Sequence, residues 1–265
     1  MKIYISADIE GVTGTTDWNE CEIGHARYKE FQEQMTREVA AACQGAYEAG
    51  ATEILVKDAH DTASNIIQAK LPEYTKLIRG WAGDPYMMMQ DIDSSFDAAF
   101  LIGYHSKAGC EGNPLSHTMN GQPARIWLND EPASEMLINT YNAAYEKVPV
   151  VFVSGDQQLC KDSVALNPFV ETCAVKDGKG SSTINIHPDL ATQKIAAGAG
   201  KSLKNELSRQ ILILPEKFTL KIEYKEFKYA YRSSFYPGVE KLSERLLQFK
   251  TIDYFEILRA LLFLI

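Results

Sequence analysis

A short apolar strand, a long amphipathic helix and a second apolar strand follow one another at the start of the chain, and this order constrains the fold most. Lys2–Ile5 and Glu53–Val56 have the pattern of buried strands. Between them a helix is expected from roughly His25 to Glu48, with apolar residues recurring every four positions at Phe31, Met35, Val39 and Cys43. Strands joined by a helix lie parallel and side by side, so the sequence predicts a βαβ unit.

The alternation of strands and helices continues, which predicts an α/β fold with a mostly parallel sheet flanked by helices. Further strands are expected at Leu77–Arg79, Ala98–Gly103, Val150–Val153 and Glu171–Val175, and helices at Ala133–Ala144, Gln157–Leu166 and Pro188 to about Glu206. The methionine run Met87–Met89 is more typical of adaptable core packing than of an apolar ligand pocket, and both interpretations stay open.

Two segments depart from the parallel pattern. Residues at about 113–132 are predicted to form a β-hairpin insertion, in which Leu115–Met119 pairs with Ala124–Leu128 across an Asn120-Gly121 turn. Beyond Pro215, the alternating segment 218–224, a strand near 247–251 and an apolar closing helix predict a smaller α+β unit. We therefore expect an α/β domain at 1–208 and a C-terminal α+β domain at 209–265.

Charge and composition narrow the kinds of partner. The 265 residues carry a formal charge of −8, which argues against nucleic acid or an anionic membrane. The five cysteines are odd in number and lack C-x-x-C spacing, which argues against a disulfide framework or a thiolate zinc site. Neither a signal-peptide pattern nor an apolar segment of membrane length is evident, so we expect a cytoplasmic protein.

Carboxylates and imidazoles follow three of the predicted strands at the point where each strand ends. Asp8 and Glu10 follow the first strand, His60 the second and His105 the strand at 98–103. The carboxyl ends of parallel strands meet at one edge of the sheet, so these side chains should converge. Any one of these side chains would be ordinary at a strand end or as a helix cap. Two neighbouring carboxylates, however, repel one another unless a positive charge lies between them. Their convergence therefore favours a metal site.

Two more residues could add to this site. Glu135 opens a predicted helix, and His117 lies on the predicted hairpin. A set of carboxylates and imidazoles without thiolates suits zinc, or less often manganese. Three carboxylates with two imidazoles are more ligands than one catalytic zinc ion takes, so the set suits two ions.

These residues and their spacing resemble the zinc D-aminopeptidase family first linked to bacterial dipeptide-transport operons. The shared motifs are S-x-D-x-E-G at Ser6–Gly11, D-x-H at Asp58–His60, G-Y-H at Gly103–His105, S-H at Ser116–His117 and N-D-x-P-x-x-E at Asn129–Glu135. Their order matches along almost the whole chain, as far as the Pro-Gly at 237–238 and the closing helix. One position departs from the family: Ser134 stands where glycine is common, a residue that permits positive φ or close approach.

The resemblance implies a metallo-aminopeptidase that removes the N-terminal residue of short, D-amino-acid-containing peptides, using water activated between two zinc ions per chain. It implies that Asp8 bridges the metals, that Glu10 and His60 complete one site, and that His105 and Glu135 complete the other. His117 would be the nearby catalytic histidine. Residues 1–208 would then be the metal-binding catalytic domain. The family also implies a homo-oligomer, here expected as a decameric ring, while L-aminopeptidase or dipeptidase activity stays open.

Three other functions compete with this interpretation. Ala197–Ser202 has the look of a phosphate loop, but Ile195 stands where that motif requires glycine. A non-catalytic peptide-binding protein of a transport system could use the same carboxylates to hold an α-amine, although it would not need so many metal-type ligands. A metal-dependent phosphoesterase also uses clustered Asp and His, but the net acidity and the lack of a basic phosphate clamp argue against it.

Overall fold

The structure, a computed structural model, describes residues 1–265. Its α-helices are α1 (Tyr28–Glu48), α2 (Glu135–Tyr145), α3 (Gln157–Leu166), α4 (Pro188–Ser202), α5 (Phe227–Ser233) and α6 (Tyr254–Leu264). Its strands are β1 (Lys2–Ala7), β2 (Glu53–Asp58), β3 (Thr75–Ile78), β4 (Ala98–Tyr104), β5 (Pro123–Leu128), β6 (Glu131–Pro132), β7 (Val150–Asp156), β8 (Glu171–Lys179), β9 (Ser182–Asn185), β10 (Phe218–Tyr224), β11 (Val239–Lys241) and β12 (Leu246–Thr251). Short 3₁₀ helices lie at Trp18–Glu20, Gln68–Lys70, Met87–Met89 and Leu207–Gln210.

Seven strands form the larger sheet, in the order β3-β2-β1-β4-β7-β8-β9. Neighbouring strands run parallel except β9, which is antiparallel to β8. In the register of the three central strands, Ala7 lies level with Asp58 of β2 and Ile102 of β4. The carboxyl ends of these strands therefore meet at one edge, and the predicted α/β fold with its βαβ unit is confirmed.

Helix α1 covers one face of this sheet together with α4. Met35, Val39 and Cys43 of α1 are fully buried in the core that they share with β1, and Phe31 packs at its border. The four-residue apolar spacing was therefore a correct sign of a helix lying on a sheet. The helix begins at Tyr28, later than the expected His25.

The segment that resembles a phosphate loop lies inside helix α4. A Cβ atom added to Gly198 would come within 2.6 Å of the ring of Phe152 on β7. This glycine therefore allows the helix to pack closely on the sheet. The strand–loop–helix context that a phosphate loop requires does not occur here.

A second, antiparallel sheet has the strand order β11-β12-β10-β5-β6. Along β10 the side chains of Phe218, Leu220, Ile222 and Tyr224 are buried, and those between them are half-buried. This confirms the alternation predicted for Phe218–Tyr224. Helices α2 and α6 close the core of this sheet, where Tyr254 donates a hydrogen bond to the carbonyl of Ile138 at 2.7 Å.

The predicted hairpin across Asn120-Gly121 is wrong. Leu115–Met119 forms no strand, and its only ladder contact is an isolated bridge from Thr118 to Asn120. The hairpin instead turns at Asn129 and Asp130, both of which have positive φ, and joins β5 to β6. The backbone of Leu115–Met119 bonds elsewhere, because the amide of Met119 donates to Glu135 at 2.7 Å.

Strand β5 also pairs with β10, so the hairpin and the C-terminal segment share one sheet. The division into domains at 208/209 stays a prediction. The closing helix α6 packs its apolar side on this sheet, as expected of an amphipathic helix. No helix of the chain is both long and apolar enough to cross a membrane.

Candidate metal centre

All six side chains predicted for the site lie together at the carboxyl edge of the parallel sheet. Asp8 and Glu10 follow β1, His60 follows β2 and His105 follows β4. Glu135 is the first residue of α2, and His117 lies in the loop between β4 and β5. The five residues other than His117 are at most 6% exposed. The side chain of His117 is 12% exposed.

The donor atoms form two groups that meet at Asp8. His60 Nδ1 lies 3.2 Å from Asp8 Oδ1 and 3.0 Å from Glu10 Oε2. His105 Nε2 lies 3.6 Å from Asp8 Oδ2 and 3.4 Å from Glu135 Oε2. Each of these sets could hold a metal ion. The two carboxylate oxygens of Asp8 therefore face different sets of donors.

Backbone carbonyls orient the three imidazole rings. His60 Nε2 lies 3.0 Å from the carbonyl of Cys21, His105 Nδ1 2.9 Å from that of Ser106, and His117 Nδ1 2.9 Å from that of Leu115. A carbonyl only accepts, so each of these ring nitrogens carries the proton. The other nitrogen of each ring faces the carboxylates, and once it has released its proton it offers the lone pair that a metal ligand requires.

Two glycines let the ends of β1 and β4 approach each other. A Cβ atom on Gly11 would lie 1.7 Å from the carbonyl oxygen of Tyr104, and one on Gly103 would lie 2.3 Å from that of Asp8. Gly103 also has φ of +70°, which side chains rarely adopt. The amide of Gly11 donates to the carbonyl of Gly103 at 2.8 Å. The glycines of both motifs thus bring Asp8 and His105 together.

The charged groups of the cluster change one another's proton affinity. Burial lowers the pKa of His105, but Glu135, Glu10 and Asp8 together outweigh burial and raise that pKa to about 10. Burial also lowers the pKa of His60, yet Glu10 and Asp8 together outweigh burial and hold that pKa well above its usual range. Burial raises the pKa of Glu10, but the three imidazoles, led by that of His60, together outweigh burial and lower the pKa. The cluster therefore favours positive charge, as protons or as a metal cation.

Asp8 and His117 are shifted towards their neutral forms. Burial, followed by the charge of Glu10, raises the pKa of Asp8 well above its usual value. Burial, followed by the charge of His105, lowers the pKa of His117. The His117 ring stacks on that of His105 at 4.3 Å and meets the edge of Trp18 at 5.3 Å. His117 is therefore a neutral, positioned imidazole near pH 7, able to accept a proton.

The donor set fits zinc. Two buried donor atoms, His105 Nε2 and Glu10 Oε2, make no aligned hydrogen bond within the protein. Tetrahedral zinc with bonds of about 2.1 Å requires its ligand atoms to be about 3.4 Å apart. The four distances from His60 and His105 to the carboxylates span 3.0 to 3.6 Å. Imidazole and carboxylate donors without thiolate are typical of catalytic zinc sites.

Ser134 is compatible with this arrangement. Its φ of −95° lies in the extended region, so the position does not require the positive φ that glycine permits. Its side chain caps helix α2 by accepting a hydrogen bond from the amide of Leu137 at 3.0 Å. The serine therefore anchors the helix turn that presents Glu135.

Several supporting residues were missed from the sequence. The buried Lys176 of β8 donates to the carbonyl of Glu10, which also accepts from Asn113 Nδ2 at 2.9 Å. Asp156, at the end of β7, accepts from the amide of Ser106 at 2.7 Å and from its hydroxyl at 2.6 Å. Asp156 ends a parallel strand as the predicted ligands do, so its position was a usable signal. A lysine at 176 carries no comparable pattern.

Asp58 does not contact an imidazole. It caps a loop instead. Its carboxylate accepts from the amides of Asn65 and Ile66 at 2.6 and 2.7 Å. Asn65 Nδ2 in turn donates to the carbonyl of His60 at 2.7 Å. Asp58 therefore fixes the loop that carries His60.

Comparison with known proteins identifies the family. A family model described as D-aminopeptidase matches residues 1–263. The chain belongs to the D-aminopeptidase family. It is 32% identical to a D-aminopeptidase of Bacillus subtilis (strain 168) over 264 residues, which cover 99% of this chain and 96% of that protein. Among solved structures it resembles the "Zn-dependent D-aminopeptidase DppA from Bacillus subtilis, a self-compartmentalizing protease", with a TM-score of 0.94, 30% identity and coverage of 100% and 96% of the two chains.

Membership of the D-aminopeptidase family confirms the resemblance drawn from the motifs and makes the chain a peptidase by family. The matched region includes every residue of the cluster. His25 and His187, the two histidines not assigned to the site, contact nearby surface carboxylates, at 3.4 Å to Glu22 and 3.8 Å to Asp189, and His187 also caps helix α4. The family assignment and the geometry thus direct attention to the same edge of the sheet.

Proposed function

We propose that this protein is a metallo-aminopeptidase that removes the N-terminal residue from short D-amino-acid-containing peptides at a centre holding two zinc ions. One observation carries the proposal: the two oxygens of Asp8 face two separate sets of nitrogen and oxygen donors. A carboxylate in this position can bridge two cations. The family assignment supports the chemistry, and the zinc dependence stated for the related B. subtilis enzyme supports the metal.

The residues divide naturally between two ions. Asp8 would be shared, Glu10 and His60 would complete one site, and His105 and Glu135 the other. Zinc bound there would act as a Lewis acid and supply a water acidic enough to be deprotonated near neutral pH. The protein's part is to hold these donors in a buried, preformed arrangement, with each imidazole fixed by a backbone carbonyl.

We assign His117 the role of proton carrier. Its Nε2 lies 3.5 Å from Glu135 Oε1 and 4.0 Å from Glu10 Oε1, at the open side of the cluster. Because its pKa is lowered, the ring is neutral near pH 7 and has a nitrogen free to accept a proton, and the protonated ring gives that proton up readily to a leaving amine. His117 could also serve as a ligand, since it forms a third donor group with Glu10 and His105. Metal content of His117→Ala separates these two roles.

The preference for D-residues rests on the family and on the activity named for its relatives. The decisive test is a hydrolysis assay of the zinc-reconstituted protein with matched D- and L-aminoacyl peptides and a phosphate monoester. We expect two zinc equivalents per chain and turnover of the D-peptides. Binding without turnover would favour a transport-related binding protein, and turnover of the monoester alone would favour a phosphoesterase.

We further propose that the chain works as a homo-oligomer, a decameric ring, in the cytoplasm. The related B. subtilis enzyme is described as self-compartmentalizing. Three aromatic side chains at four-residue spacing on and beside helix α5 are 59 to 71% exposed and could pack between subunits: Phe227, Tyr231 and Phe235. Sedimentation analysis of the wild type and of a Phe227→Ser/Phe235→Ser variant tests this. A monomeric wild type would contradict it.

A further inference from the structure

An apolar wall lines the cleft beside the metal centre, and the proposed hydrolysis does not use it. We call it the methionine wall; its residues are Trp81, Met87, Met88, Met119, Leu262 and Ile265. The cleft has a volume of about 470 Å³ and also opens on Asp8, Glu10 and Glu135. The catalytic centre and the methionine wall thus face the same cavity.

We propose that the methionine wall is a side-chain subsite that selects peptides with a large apolar residue next to the scissile bond. This inference rests on the proposed peptidase function and names its substrate class. Two hydrogen bonds tie the wall to the metal centre. The amide of Met119 donates to Glu135 Oε1 at 2.7 Å. The carbonyl of Met88 accepts from the hydroxyl of Ser6, two residues before Asp8, at 2.8 Å.

The backbone at two of the methionines is unusual. Met87 and Met119 have φ of +48° and +69°, a region that few non-glycine residues adopt. Glycine or asparagine would fit such positions more easily. Both residues pack on the core of the second sheet, which holds them in this conformation. The chain thus keeps long apolar side chains in the cleft at positions where a smaller residue would be less strained.

The tryptophan of the wall is fixed in place. Lys57 donates to the carbonyl of Gly80, and its ammonium group lies 4.2 Å from the centre of the Trp81 ring. The indole Nε1 donates to the carbonyl of Asp61 at 2.7 Å. The ring is nevertheless 42% exposed. A rigid, exposed aromatic surface beside a reactive centre can bury an apolar substrate group at low entropic cost.

The chemistry of the cleft sets an order of preference. Unbranched methionine side chains adapt to different shapes, so leucine, methionine and phenylalanine should all be accepted. No lysine or arginine lines the cleft, whereas Glu22, Asp61 and Asp84 do. An acidic substrate side chain would therefore meet like charges. The expected order is large apolar first, alanine next and aspartate last.

The first test compares kcat/KM of the zinc-loaded protein for peptides that differ in one side chain. Alanine, leucine, phenylalanine or aspartate is placed first in one series and second in the other, with glycine elsewhere. Leucine and phenylalanine should exceed alanine at least tenfold in one series, with aspartate below alanine in that series. Equal values for alanine and leucine in both series would overturn the proposal.

Substitutions connect the preference to the wall. Met87→Ala and Leu262→Ala should each lower the leucine-to-alanine ratio at least threefold. The matched control is Phe263→Ala, on the same helix, where the side chain is 61% exposed and does not line the cleft. The control should keep the wild-type ratio. A ratio that survives both wall substitutions would refute the assignment, and general damage to activity cancels in the ratio.

A binding measurement does not depend on turnover. Leucinol carries the amine and the side chain of leucine but has no peptide bond to cleave. Labelling the methionine methyl groups with ¹³C reports on its contacts with the methionine wall. Leucinol should shift the methyl signals of Met87 and Met119, more than alaninol does, and leave that of Met35 in the α1 core unchanged. Absence of hydrolysis with these shifts would refute the peptidase but support the subsite. Absence of the shifts would refute the subsite.

Discussion

Glu38 is a buried carboxylate outside the metal centre whose charge should make the fold less stable at high pH. It lies on α1 with no exposed surface. One oxygen accepts from the amide of Thr13 at 3.0 Å and from Gln34 Nε2 at 3.1 Å, while the other has no partner. Burial raises the pKa of Glu38 to about 7. Replacing it with glutamine removes the charge and keeps an oxygen for Thr13.

The size of the effect follows from linkage. Between pH 4.5 and 7 the folded state holds a proton that the unfolded state has released, so the free energy of unfolding falls as the pH rises through this window. At about 1.4 kcal/mol per pKa unit, the loss above pH 7 is about 3 kcal/mol. This is an upper figure for Glu38→Gln, because the substitution also removes the attraction between the charged carboxylate and the ammonium group of Lys176. At pH 8 the free energy of unfolding of the variant should therefore exceed that of the wild type by up to this amount.

Urea unfolding from pH 5 to pH 8, at one protein concentration and with zinc present, measures the difference. The gain of Glu38→Gln over the wild type should grow with pH and level off above pH 7. The matched control is Glu48→Gln, which makes the same substitution at an exposed position of the same helix. A pH-independent difference for Glu38→Gln would refute the reasoning, since it would mean that the buried carboxylate ionises at no cost.

The metal centre and its glycines supply the remaining predictions. His105→Ala should lose bound zinc together with activity, and turnover by the metal-free variant would contradict the two-metal assignment. His117→Ala should keep its zinc, measured by elemental analysis, and lose roughly a hundredfold in kcat, the usual effect of removing a general acid–base group; zinc loss would make it a ligand. Because His60 and His105 have raised pKa values, zinc must displace protons and should bind more tightly as the pH rises, with proton release measured calorimetrically in buffers of different ionisation enthalpy. Gly11→Ala should give little folded protein by circular dichroism, because its Cβ would lie 1.7 Å from a carbonyl oxygen; a normal yield would contradict the need for close approach.

Most of the parallel sheet could be predicted from local patterns. The apolar residues of α1 recur with helical spacing, and β1, β2 and β4 are short apolar runs, so each element can be recognised from its own sequence. The parallel arrangement of the strands follows because helices connect them. The hairpin could not be predicted in this way. Asn120-Gly121 is a good turn dipeptide, yet β5 finds its partner in β10, nearly a hundred residues later. Pairing between distant segments leaves no pattern in the local sequence. The chain therefore turns at Asn129-Asp130, although Asn120-Gly121 is the stronger turn dipeptide.

The same distinction applies to the metal centre. Asp8, His60 and His105 could be predicted because each follows a parallel strand, and such ends share an edge whatever the details of packing. Lys176 could not, because it reaches the carbonyl of Glu10 from inside β8 and its position depends on the tertiary fold. Local sequence patterns thus indicate which residues lie at the carboxyl edge of the sheet, but not which residues support that edge from within the fold.

The supporting contacts explain why the donors can stay so close together. Lys176 is buried, and its ammonium group donates to the carbonyls of Glu10 and Thr15. It therefore anchors the backbone that carries one crowded carboxylate and adds a positive charge near it. Asp156 holds the backbone after His105 by accepting from both the amide and the hydroxyl of Ser106. Since carboxylates so close together repel, the fold must hold them through their backbone, and the cluster stays preformed for the cations that neutralise it.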